Sequence, residues 1–181
     1  MPATDNSPEL MDAIKAMMGN DGTSAQAALG EMLVVDPANA TAHFLLGAEY
    51  AESGHWDLAE RHLATAVVLE PLLVMARFQL GQLLLVNGRF AECSATLQPL
   101  ATASGALAAY ARALISVAHD DAGAAEVALQ QGLALPQEQT ALTQDMQRLL
   151  LRLAGGDGTG PESTAAMPGA AFLLSNYARY N

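Results

Sequence analysis

Two stretches of the chain, residues 37–71 and 71–105, carry one pattern set 34 residues apart. Leu46-Gly47 returns as Leu80-Gly81, Phe44 as Phe78, Gly54 as Gly88, Trp56 as Phe90, Ala59 as Cys93 and Leu63 as Leu97. Pro37 and Pro71 keep the same interval. A fixed period in this range marks stacked supersecondary units, none of which can bury its apolar face alone.

The residue types explain what each unit is. Phe44, Leu45, Leu46, Ala48 and Tyr50 give Thr41–Ser53 a broad apolar face at helical spacing. Gly47 and Gly81 allow two helix backbones to approach where a side chain would collide. Ala59 and Ala66 lie seven apart on one face of the following helix and permit the same closeness. Gly54 and Gly88 suit the left-handed residue that ends a helix. Asp36-Pro37 and Glu70-Pro71 close each unit, because the residue before proline avoids the helical region.

With these residues in place, Asn39–Pro71 resembles a tetratricopeptide repeat (TPR), through Leu46, Gly47, Tyr50, Gly54, Ala59, Leu63, Ala66 and Pro71. The second copy keeps Leu80, Gly81, Gly88, Phe90 and Leu97 but carries Leu84 for the tyrosine, and Cys93 and Leu100 for the two alanines. The expected fold is all-α: a right-handed superhelical solenoid of about three to four TPR-like helix pairs with a C-terminal capping helix. The resemblance implies a protein-interaction module and names no partner, since function lives in sites placed on a fold.

Composition narrows the classes. Half the chain is hydrophobic (51%) but only 5% is aromatic, which fits helices packed on small residues and disfavours a β-sandwich. The formal charge is −11, from 19 acids and 8 bases, with Lys15 the only lysine. Nucleic-acid and anionic-membrane binding need clustered cations and are therefore disfavoured. Met1–Gly19 lacks the basic start and apolar core of a signal peptide. The longest uncharged run, Cys93–Ala111, contains Pro99 and Gly105 and reads as no membrane span. A single cysteine allows no internal disulfide, and Cys93 sits where the pattern asks for a small packing residue. The expected location is the cytoplasm.

The organisation read along the chain is a helical repeat domain over 6–154, a Gly/Pro-rich linker over 155–169 and an apolar aromatic tail over 170–181. Residues 8–18 and Thr23–Val35 form a degenerate opening pair. Pro99 is expected to end its helix near Leu97 or to kink it. Gly105–Ala118 and Ala122–Leu135 form an imperfect third pair closed by Pro136, and Gln137–Leu153 is the last, amphipathic helix. The tail holds three of the chain's eight Phe and Tyr residues, and disordered tails usually lack aromatics. Leu173, Tyr177 and Tyr180 share a helical face; with Phe172 they form a candidate latch that docks on an apolar groove.

By the resemblance, first helices of successive pairs line a concave groove, which places Phe44, Ala48, Met75, Phe78, Gln82, Leu85 and Tyr110 along it. TPR proteins that hold acidic C-termini grip the carboxylate with cations in that groove. Phe44, Ala48 and Gln82 stand at such positions here, so that role is not expected; the apolar lining suits an amphipathic helix or an extended apolar peptide, and the charge of −11 favours a basic or neutral partner. Two further readings are a small acidic TPR chaperone for secreted hydrophobic clients and a self-associating protein, dimeric through tail or groove. No enzymatic role is expected. His43, His55, His62 and His119 show neither HxxxH nor HExxH spacing, and no Ser/His/Asp elbow or phosphate loop appears, so no catalytic residue, metal or cofactor is assigned. His43 and His62 fall on the two helices of one pair and are expected to lie near each other.

Overall fold

The computed structural model describes residues 22–136 and 140–155. Among these the chain is all-α, with eight helices and no strand. They are α1 (Gly22–Val35), α2 (Ala40–Glu52), α3 (Trp56–Leu69), α4 (Val74–Val86), α5 (Phe90–Ala101), α6 (Ala106–Ala118), α7 (Ala122–Leu133) and α8 (Thr140–Gly155). The expected helix over 8–18, the linker from 156 and the tail lie outside the described residues.

The chain divides into two compact units, one ending at Gln79 and the other beginning at Leu80, both positions within α4. In the first, α1 packs on α2 and α2 on α3. Its core gathers Ala25, Leu29 and Met32 from α1 with Ala42 and Leu46 from α2, flanked by Ala28, Leu33, Leu45 and Tyr50. In the second, α5 packs on α6, α6 on α7 and α7 on α8. Leu97, Tyr110, Leu114, Leu129, Met146 and Leu149 are fully buried there. The last helix is amphipathic as expected, with Met146 and Leu149 inside and Gln144, Gln147 and Arg152 exposed.

Each pair turns through the same hydrogen-bonded closure. Gly54 N–H donates to Ala51 O and His55 N–H to Tyr50 O; Gly88 N–H to Leu85 O and Arg89 N–H to Leu84 O; Asp120 N–H to Val117 O and Asp121 N–H to Ser116 O. The residue at the centre is left-handed each time: Gly54 at φ 77°, Gly88 at 72° and Asp120 at 59°. The two glycines are legible in the sequence, whereas the third turn is closed by an aspartate, a residue type that tolerates this region better than most.

The interval between turn residues is 34 from Gly54 to Gly88 and 32 from Gly88 to Asp120. The lost two residues come from α5, which has 12 residues where α3 has 14. Pro99 lies inside α5, which runs on to Ala101 instead of ending near Leu97. Proline removes only one donor in a last turn that buried Leu97 and Leu100 hold down. Thr102 Oγ1 donates to Pro99 O at 3.0 Å, and Arg112 of α6 donates to Ala101 O at 3.0 Å, which occupies carbonyls freed at the helix end.

With the register reset, the third pair aligns with the first two. Phe44, Phe78 and Tyr110 are each the fifth residue of their helix, and Leu63, Leu97 and Leu129 each the eighth of theirs. A Cβ on Gly47 would meet Leu63 Cγ at 2.8 Å, and one on Gly81 would fall within 3.0 Å of Leu97 Cγ. In the third pair the roles are exchanged. Ala113 replaces the first-helix glycine, while Gly132 of α7 lies against the Tyr110 ring, where a Cβ would again come within 3.0 Å.

Gly132→Ala and Gly81→Leu should therefore each destabilise the protein by about 1–3 kcal/mol, although alanine or leucine is the better helix former. Urea midpoints unchanged within error would refute these close approaches. Asp120→Gly should raise stability by about 0.5–1 kcal/mol by relieving the left-handed strain, a gain read from the same unfolding curves.

Candidate functional site

The groove positions divide by burial. In the first unit Phe44, Ala48 and Met75 are half-buried, whereas Phe78 is fully buried. In the second, Gln82, Leu85 and Tyr110 are at most 1% exposed. Phe44, Ala48 and Met75 thus present apolar surface, and the other four stand among core residues. Phe172, Leu173, Tyr177 and Tyr180 lie outside the described residues.

A cluster of aromatic and imidazole rings accompanies the groove residues of α2. His43 of α2 and His62 of α3 meet with Nδ1 to Nδ1 at 2.9 Å. His43 Nε2 lies 3.2 Å from the carbonyl oxygen of Pro37. A carbonyl only accepts, so the proton of neutral His43 sits on Nε2 and its Nδ1 carries a lone pair. His62 then donates from its own Nδ1. The Tyr50 ring stacks on His62 at 5.4 Å and meets His55 edge-on at 6.1 Å. His55 Nδ1 is 3.0 Å from Ser53 Oγ, which donates to Glu49 O at 2.8 Å. The sequence placed His43 and His62 on paired helices; their contact and Tyr50's cover needed the packed structure.

Burial pushes the His62 imidazole below the ordinary histidine value, and the positive charges of His43 and Arg61 push it the same way. Glu49 is raised above the usual carboxylate value by burial and then by Glu52. Burial drives the Cys93 thiol up to about 12, so it is protonated and inert at neutral pH. Among the described residues no group of three His, Cys, Asp or Glu is arranged to hold a metal ion. Among them too, no helix is long and apolar enough to cross a membrane.

No protein-family model matches the chain, and no curated protein matches it. Among solved structures the chain is similar to an O-GlcNAc transferase mutant of Thermobaculum terrenum, at 23% identity and a TM-score of 0.48. The likeness covers 80% of this chain and 25% of that one, so the chain spans about a quarter of the transferase's length. At that score it supports no functional inference.

The His62 imidazole gives a pH dependence of known sign. Its proton binds more readily in the unfolded chain, so acid favours unfolding. The stability contributed by neutral His62 is present in full above the ordinary value of 6.5 and is lost as pH falls below it. Between pH 7.5 and 5.5, wild type should lose more unfolding free energy than His62→Gln. Parallel stability curves for the two proteins would exclude this role.

Proposed function

We propose that the protein is a non-enzymatic interaction scaffold of TPR type, which binds an apolar, basic peptide or helix along the first-helix face of its repeats. The observation that carries this reading is the half-burial of Phe44, Ala48 and Met75 on α2 and α4 of the first unit. Helical hairpins that have closed their core still leave these apolar side chains partly open to solvent, which is how helix-in-groove recognition is built. The acidic balance of the chain, −11, favours a basic partner over an acidic one. The cytoplasm is the compartment proposed for it.

The test uses Phe44→Ser with Met75→Ser, in protein expressed in its native host and cross-linked before purification. Both residues lie outside the fully buried core, so the fold should survive, as circular dichroism would show. A partner anchored by them should lose about 2–4 kcal/mol of affinity. Phe78→Ala provides the contrast: removing a fully buried ring should cost about 3–5 kcal/mol of stability. Partner affinity indifferent to the double substitution would end the assignment.

A further inference from the structure

The first unit has a second apolar surface, distinct from the first-helix face. Its helices α1, α2 and α3 pack in sequence through connections of three or four residues, so neighbours run antiparallel. The C-terminal ends of α1 and α3, with the connections 36–39 and 70–73, therefore lie at one end of the unit. At that end Val34 is 83% exposed, Val35 87%, Val68 78% and Leu72 83%, with Leu69 and Val74 about half as open. Val34 and Val68 occupy the same register, 34 residues apart, as do Val35 and Leu69. Single exposed apolar residues need no explanation, but a set repeated in register at one end of a unit marks an interaction surface.

The charges at this end say what can cover it. Asp36 and Glu70 are both exposed and follow the two apolar pairs. Their side chains accept from turn amides, Asp36 Oδ1 from Ala38 N–H and Glu70 Oε1 from Leu72 N–H, each at 3.2 Å. Arg77 also reaches this end and donates to Pro71 O at 3.4 Å. Two acids against one arginine leave this end net negative, so two copies set face to face would repel and a symmetric dimer is the less favoured occupant. An occupant with apolar side chains, a cation and no acids complements this end best.

One segment of the chain has that composition. Residues 163–181 contain no Asp or Glu, so all 19 acids precede them. Within them lie Phe172, Leu173, Leu174, Tyr177 and Tyr180, with Arg179 between the two tyrosines. Sixteen residues separate Gly155, the end of α8, from Phe172, a tether of at most about 55 Å. We propose that the segment Phe172–Tyr180 docks on the Val34/Val68/Leu72 end of the first unit, with Arg179 facing Asp36 and Glu70. This docking is independent of the first-helix face and of what binds there.

The test uses the full chain with Phe172, Tyr177 and Tyr180 changed to serine, which removes the internal competitor. A fluorescent synthetic peptide of residues 168–181, capped at both ends, is titrated in and followed by anisotropy. Saturable binding is expected, weakened at least about ten-fold by Val34→Ser, Val68→Ser and Leu72→Ser together. A peptide carrying Arg179→Glu should also bind several-fold more weakly, and added salt should narrow that gap. Phe44→Ser should leave the peptide's affinity unchanged, which separates this surface from the first-helix face. Val34, Val68 and Leu72 are already largely in water, so their change to serine should leave the fold intact, as unchanged circular dichroism would show. Absence of binding, or binding that Phe44→Ser abolishes and the triple change spares, would overturn the proposal.

Discussion

The structure depends on pairs of antiparallel helices approaching at a residue with no side chain. Gly47 receives Leu63, and Gly81 receives Leu97, eight residues into each helix. The gap left by one missing Cβ is filled by a leucine from across the pair, so the two helices can meet in only one register. That register sets the rest. It places the turn residue where a left-handed conformation closes the pair, and it brings Ala59, Ala66 and Cys93 inside, all at 0% exposure. Interiors this dense accept no extra methyl without strain, so each glycine acts as a register mark as well as a gap.

The third pair keeps the contact and exchanges its members. Tyr110 supplies the bulk from the first helix and Gly132 the gap from the second. The exchange follows a shortened α5, whose last carbonyl is taken by Arg112. Arg112-Ala113 stands where Leu46-Gly47 and Leu80-Gly81 stand in the earlier pairs. One substitution pattern thus solves two problems created by the missing two residues. The arginine occupies an orphan acceptor at the end of α5, and the glycine moves to the helix that must yield to a ring.

A polar contact accompanies this core in the first pair. The His43 and His62 rings spend their facing nitrogens on each other, and the Pro37 carbonyl fixes which ring donates. A second positive charge in that contact has nowhere to go, because two N–H groups would face each other at 2.9 Å. The pair therefore ties α2 to α3 only while at most one of its rings is charged. The two surfaces proposed for binding sit outside this framework, on half-buried side chains of the first helices and on exposed residues at the helix ends.

The sequence by itself determined the period, the helix pairs and their stops. Gly54 and Gly88 announced two left-handed turns, Pro37 and Pro71 two helix ends, and Gly47 and Gly81 two close approaches, because each needs a residue type that few alternatives satisfy. The Asp120 turn, the run of α5 through Pro99 and the exchange between Tyr110 and Gly132 were decided by tertiary structure. Aspartate and proline only bias a backbone, and packing overrules a bias of a few kcal/mol. Burial was decided there as well. Phe44 and Phe78 hold the same place in their helices, yet one is half-exposed and the other is fully buried. Helical spacing tells which residues share a face; only the assembled neighbours determine whether that face is covered.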